Sequence, residues 1–177
     1  MFELCSVEEN GYEALALLSE LSGSPKIANE LIRPYIADVP TSGDLDVTTL
    51  GPLIADIMPE ESIVSDESAT SSLIVTPHAL QAKPHDWLAL TGGSIGQGLP
   101  LAIGASIAKP DRPVITLHGD GGAMYTVQAL WTQARENLNI TNIIFSNRSY
   151  EILKIELDRV QAVETGERAA SMFSMDN

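Results

Sequence analysis

Residues 113–149 read PVITLHGDGGAMYTVQALWTQARENLNITNIIFSNRS. An apolar β-type run, Val114 to Leu117, ends in Gly119-Asp120-Gly121-Gly122. A helical pattern follows, and a second β-type run, Asn142 to Phe145, ends in Ser146-Asn147. The order is strand, glycine turn, helix, strand. Right-handed crossovers return the chain to a neighbouring position, so the two strands are expected side by side and parallel. Asp120 and Asn147 then share the crevice beyond the carboxyl ends of the strands, where open α/β sheets bind ligands.

Gly121 and Gly122 are read as positions that take a positive φ and let the backbone approach a ligand. Amides at the start of the following helix suit a phosphate, which Asp120 would repel unless a divalent cation lay between them. Mg²⁺ takes one or two protein oxygens and completes its octahedron with phosphate and water, and Asn147 offers a neutral second oxygen. The plain alternative is a glycine turn whose Asp caps a helix. A Walker A loop needs GK[ST], which is absent, and a dinucleotide GxGxxG would need Gly where Met124 stands.

The arrangement resembles the motif of thiamine diphosphate (ThDP) enzymes: GDG, a spacer, then NN. Here Gly119-Asp120-Gly121 is followed by Gly122 to Phe145 and then Ser146-Asn147. Ser146 replaces the first Asn of the pair. The resemblance implies Asp120, Asn147 and the carbonyl of Ser149 as metal ligands. It implies Gly119, Gly121, Gly122, Ala123 and Tyr150 as cofactor contacts. The family often has Ser after GDG, so Gly122 leaves out one hydroxyl contact to the phosphate.

The same family is visible upstream. Thr91-Gly92-Gly93-Ser94-Ile95-Gly96-Gln97-Gly98-Leu99-Pro100 follows the β-type run Trp87 to Leu90 and precedes an apolar helix from Leu101 to Ala108. Close packing of helix on sheet explains the glycines by itself. The stretch also resembles the family's GG-x-φ-G-x-G-L-P segment. There the residue matching Gly93 accepts a hydrogen bond from the cofactor's aminopyrimidine, and the residue matching Ile95 wedges under the cofactor. A β-branched, stiff side chain suits a wedge. Ser62 to Ser65 reads as a short buried strand. The hydroxyl cluster from Asp66 to Ser71 reads first as helix capping, and the resemblance makes Thr70 a diphosphate contact. NRSYEIL, from Asn147, resembles the NxxYxxL region of acetolactate-synthase-like and benzoylformate-decarboxylase-like enzymes.

The expected fold is therefore α/β, a three-layer sandwich with a mostly parallel sheet, apparently truncated at both ends. Residues 1–40 are expected to be the tail of a preceding middle domain and its linker. Residues 41–177 are expected to form a C-terminally incomplete diphosphate-binding domain. Tyr12 to Leu21 has an apolar helical face, Lys26 to Arg33 a weaker helical patch, and Thr41-Ser42-Gly43-Asp44 a linker composition. Asp46 is expected to cap a helix reaching Met58, weakened by Gly51-Pro52. The helix Ala123 to Asn137 is expected to bury Met124, Val127, Leu130, Trp131 and Ala134. One helix is expected from Tyr150 to Val160, and the tail from Glu164 has no clear period. His118 reads as structural; His78 and His85, flanked by prolines, could face a substrate.

The formal net charge of −14 over 177 residues argues against nucleic acid or an anionic membrane surface as partner. Cys5 is the only cysteine, which leaves no internal disulfide. There is no apolar run of membrane-spanning length and no signal pattern, so a cytoplasmic location is expected. The resemblance implies ThDP and Mg²⁺ as cofactors and action on 2-oxo acids by decarboxylation or carboligation. It places the activating glutamate on a pyrimidine-binding domain that these residues do not contain, so no catalytic residue is assigned and the isolated chain is expected to be inactive. The expected partners are a second copy or a separate pyrimidine-domain chain. A non-catalytic diphosphate-binding module and an inactive truncated product are the alternatives.

Overall fold

A computed structural model describes residues 5–6, 8–23, 39, 42–43, 45–80, 82–160 and 166–175 of the chain. Met1–Arg33 and Pro34–Asn177 form two separate compact units. In the first, α1 (Gly11–Leu21) starts at Asn10, whose side chain accepts from the amides of Tyr12 and Glu13. This helix buries none of its residues, and Leu15, Leu17, Leu18 and Leu21 are all exposed. The Lys26 to Arg33 patch lies outside the described residues, as do Thr41 and Asp44 of the linker signal.

The second unit is built on four strands, β1 (Ser62–Glu67), β2 (His85–Ala89), β3 (Val114–Gly119) and β4 (Ile140–Phe145). Their order across the sheet is β2-β1-β3-β4, and every neighbouring pair is parallel. This is the α/β fold expected from the sequence. β1 and β3 are buried almost throughout, as befits central strands covered on both faces. β2 and β4, at the edges, are only half-buried.

Helices cover both faces. On one, α2 (Val47–Ile57) and α3 (Ser72–Ala79) bring Ile54, Met58 and Val75 against Val64, Ile115, Leu117 and Phe145. On the other, α4 (Gly98–Ala108) sets Ala102 against Ile63 and Val114. Leu99 of α4 packs with Ala123 of α5 (Asp120–Ala123) and Ala129 of α6 (Ala129–Arg135). Asp46 caps α2 through the amides of Thr48 and Thr49, and Thr49 returns a bond to the Asp46 amide, completing a capping box. The Thr48 hydroxyl, and then the Thr49 amide, hold the Asp46 carboxyl below the usual carboxylate range.

α2 keeps Gly51-Pro52 inside it, as expected, and two other expectations change here. A Cβ at Gly51 would lie 2.8 Å from His78 Cδ2, so this glycine lets α2 and α3 touch. The helix expected over Ala123 to Asn137 breaks at residues 124–128, leaving the short α5 and α6. Its apolar stripe is not core: Met124, Val127, Leu130 and Trp131 are exposed, and Arg135 lies over the Trp131 ring at 4.7 Å. Finally, the tail carries regular structure. α7 (Glu151–Arg159) is followed by α8 (Glu167–Ser171), and Ser174 then pairs antiparallel with Ser149.

Candidate functional site

The sheet order makes a topological switch point. From β1 the chain crosses outward to β2 through α3; from β2 it returns past β1 to β3 through α4. The turns after β1 and β3 therefore leave in opposite directions, and a crevice opens between them. A cleft of about 70 Å³ lies there, lined by Ser68 to Ser71, Gly119 to Gly122, Phe145, Asn147 and Ser149 to Ile152. Three strand ends thus meet in one place. The volume is well below the roughly 300–1,000 Å³ of a complete small-molecule pocket.

Asp120 is the organising side chain. Its Oδ1 accepts from the Gly121 amide at 2.9 Å. Its Oδ2 accepts from the Arg148 amide at 2.8 Å and from the Ser146 hydroxyl at 3.3 Å. The carboxylate thereby ties the turn after β3 to the turn after β4. Asn147 Oδ1 accepts from the Ser149 amide at 2.9 Å. A carboxylate has about four acceptor sites and an amide oxygen two, so each side chain keeps a lone pair for a cation. With the Ser149 carbonyl they form an all-oxygen set, the chemistry that suits Mg²⁺ rather than a softer metal. The residues present fit such an ion.

The tail braces this loop. The Tyr150 amide donates to Phe173 O at 2.9 Å and the Met175 amide to Arg148 O at 2.8 Å. These bonds flank the Ser149–Ser174 pair, which is the pattern in which the paired residues turn their own amide and carbonyl away from each other. The Ser149 amide accordingly goes to Asn147, and its carbonyl is left on the side away from the tail.

Gly121 and Gly122 have no positive φ. What they provide is room. A Cβ at Gly121 would lie 2.7 Å from the Tyr150 ring, and one at Gly122 would lie 3.0 Å from both Glu67 Oε1 and His118 Cε1. Left-handed backbone is found instead at Ala69 (φ 51°) and Arg148 (φ 52°), one on each side of the cleft, and at Gly92, Gly93 and Gly96. Such values in a residue with a Cβ mark local strain, which collects at functional loops.

Of the residues singled out from sequence, Thr70, Gly119, Asp120, Gly121, Gly122, Asn147, Ser149 and Tyr150 line the cleft. Ala123 is buried against Leu99 and Ala129. Gly93 and Ile95 lie outside the cleft wall, on the corner after β2. Ile95 is 56% exposed, and its amide closes a tight turn onto the Gly93 carbonyl at 2.9 Å. His78 packs at Gly51, and His85, at the opposite end of the sheet, bonds the Lys83 carbonyl; neither lines the cleft. The helix after the corner begins at Gly98, three residues before the expected start.

One polar group went unrecognised in the sequence. Glu67, the last residue of β1, is buried, with its carboxylate on the amides of Gly96 and Gly98 and beside His118. A single acidic residue at a strand end carries no signal that its partners are backbone amides about thirty residues on. His118, read as structural, is fully buried there.

The family described as "Thiamine pyrophosphate enzyme, C-terminal TPP binding domain" matches residues 69–176. A Mycobacterium tuberculosis protein provisionally named acetolactate synthase large subunit IlvX is 50% identical over 121 residues, covering 68% of this chain and 24% of its own length. Benzoylformate decarboxylase of Pseudomonas aeruginosa is 30% identical over 139 residues, covering 78% of this chain and 26% of its own. Among solved structures, a ThDP-dependent 4-hydroxybenzoylformate decarboxylase of Rhodococcus jostii RHA1 superposes with a TM-score of 0.68 at 25% identity, over 93% of this chain and 31% of that one. The chain thus spans about a quarter of the length of the curated relatives it matches.

Proposed function

Because this chain belongs to the C-terminal TPP-binding domain family of thiamine pyrophosphate enzymes, we propose that it forms the ThDP- and Mg²⁺-binding part of an acetolactate-synthase-like enzyme acting on 2-oxo acids by decarboxylation or carboligation. The observation that carries this reading is the convergence of Asp120, Asn147, Ser149 and Thr70 on one cleft at the switch point of the sheet. Asp120, Asn147 and the Ser149 carbonyl would hold the metal. Thr70 and the turn at Gly119 to Gly122 would hold the diphosphate. Bound ThDP supplies carbanion chemistry next to a carbonyl, which no protein side chain offers. The chain's own residues bind and orient. The small cleft takes the metal–diphosphate end, and Gly93 and Ile95 on the corner after β2 take the pyrimidine side.

Support for a partner comes from the same geometry. Ile95, Met124, Tyr125 and Trp131 are exposed large apolar side chains on the corner, the α5–α6 connection and α6. Gly96 brings the two segments into contact, since its Cβ would lie 2.9 Å from Tyr125 Cβ. A second copy of the chain, or a pyrimidine-domain chain, is the proposed cover for this face and the source of the activating glutamate. Residues 1–40 are proposed as the end of a middle domain and residues 41–177 as the diphosphate-binding domain. The proposed location is cytoplasmic; among the described residues no helix is long and apolar enough to cross a membrane.

Calorimetric titration with ThDP and Mg²⁺ tests the reading. The expected result is metal-dependent binding by the chain, tightened by a pyrimidine-domain partner, with turnover of a 2-oxo acid only in the mixture. Absence of ThDP binding in both settings would overturn it.

A further inference from the structure

We propose that Glu67 is a positioning residue: its buried carboxylate fastens the glycine corner after β2 to the metal-bearing turn after β3. The inference rests on the reading above, in which the corner and the turn hold opposite ends of one ligand. Glu67 is 5% exposed. Its Oε1 accepts from the Gly96 amide at 2.5 Å and its Oε2 from the Gly98 amide at 2.6 Å. Oε1 also lies where a Cβ on Gly122 would come within 3.0 Å. One carboxylate therefore sits between the corner that carries Gly93 and Ile95 and the turn that carries Asp120.

The surroundings explain why a carboxylate stands here. Both amides are donors, so each oxygen at this point has to accept. Glutamine could accept at one oxygen only and would turn its own N–H₂ against the other amide. His118 completes the arrangement from β3. Its Nδ1 lies 3.0 Å from the Gly119 carbonyl, and its Nε2 lies 2.9 Å from Glu67 Oε2 without the alignment of a hydrogen bond. A buried carboxylate is costly unless its partners satisfy it. Here the partners are two amides of the corner and, on β3, His118 beside Gly119, with the turn at Gly122 packed close against Oε1.

The space at the corner is equally tight. A Cβ on Gly98 would lie 2.8 Å from His118 Cδ2 and 3.0 Å from Glu67 Cβ. Gly96 takes φ +91° and accepts a second fastening at its carbonyl, from the Thr126 hydroxyl at 2.8 Å. Thr126 lies in the connection between α5 and α6, so this bond also spans corner and turn. Glu67 and Thr126 hold the same residue from its two backbone ends.

The test compares the full chain with Glu67→Gln, using two probes: ThDP with Mg²⁺, and inorganic pyrophosphate with Mg²⁺. Pyrophosphate engages only the turn, whereas ThDP needs turn and corner at the right separation. The expected result is ThDP affinity lowered about tenfold or more, with pyrophosphate affinity changed less than about twofold. Amide exchange at Gly96 and Gly98, measured without ligand, should speed up in the variant. Equal loss for both probes would mean that Glu67 merely stabilises the fold, and no loss for ThDP would mean that it fastens nothing; either result overturns the proposal. If the parent chain, alone and with a pyrimidine-domain partner, bound pyrophosphate but not ThDP, the functional reading would fail, while unchanged exchange at Gly96 and Gly98 would separately sink the fastening. Should Glu67→Gln not fold, Thr126→Val provides the milder test. It should lower ThDP affinity by about two- to threefold, again without moving pyrophosphate, and equal movement of both probes would refute the idea.

Discussion

The cleft between the ends of β1, β3 and β4 and the corner after β2 are both made of turns at strand ends, yet they are held in different ways. The cleft is braced by its own side chains. Asp120 bonds groups on two turns, Tyr150 packs its ring on Gly121, and the tail bonds residues 148 and 150. The corner offers its exposed side chain, Ile95, on a backbone with three left-handed glycines, and it is fixed from below by Glu67 and Thr126. The cleft holds its carboxylate and amide oxygens in place through bonds of its own. The corner keeps its shape through backbone bonds and leaves its apolar face uncovered within the unit.

The largest break in this contrast should come from Asp120→Ala. Metal-dependent ThDP affinity is expected to fall about a hundredfold or more, since a first ligand matters at least as much as the 10–100-fold typical of its supporting partners. The fold should survive, because losing the bonds to Gly121 and Arg148 costs on the order of 1–3 kcal/mol. Calorimetry and thermal melting read the two effects separately, and wild-type affinity would remove Asp120 from the metal site. Next comes Gly98→Ala, aimed at the fixed underside of the corner. The new methyl meets His118 and the Glu67 stem, and overpacking of this kind costs about 1–3 kcal/mol. A melting curve coincident with wild type would show that the corner is softer than its contacts indicate. The smallest effect should come from Ile95→Ala on the open face. Stability should stay within about 0.5 kcal/mol of the parent. ThDP affinity should drop about tenfold while pyrophosphate affinity holds, since the lost methylenes are each worth about 0.8 kcal/mol once a ligand buries them. A loss of stability without a loss of ThDP affinity would make Ile95 a packing residue.

The same contrast explains what could be read in advance. Asp120 and Asn147 were legible because each ends a β-type run, and parallel strands joined by one crossover bring such ends together. The parallel sheet followed from those runs. Glu67 was hidden because its partners are the amides of Gly96 and Gly98, and backbone donors look alike in every sequence. Met124, Val127, Leu130 and Trp131 have helical spacing, and that spacing misled. The chain turns at residues 124–128, where the Thr126 hydroxyl is engaged by the Gly96 carbonyl, so the stripe never lies on one helix. The tail was opaque because its docking uses backbone groups of Phe173 and Met175 with little side-chain pattern.

The Ser149–Ser174 pair has a consequence for how the chain tolerates change in length. It joins the loop after β4 to a segment about two dozen residues later, with α7 and α8 between. The entropy of closing such a loop grows only with the logarithm of its length, and doubling it adds about 0.6 kcal/mol. Residues inserted between α7 and α8 should therefore leave the brace nearly as strong. The antiparallel register of residues 173 to 175 against 148 to 150 is constrained, whereas the distance the chain travels between them is nearly free to vary.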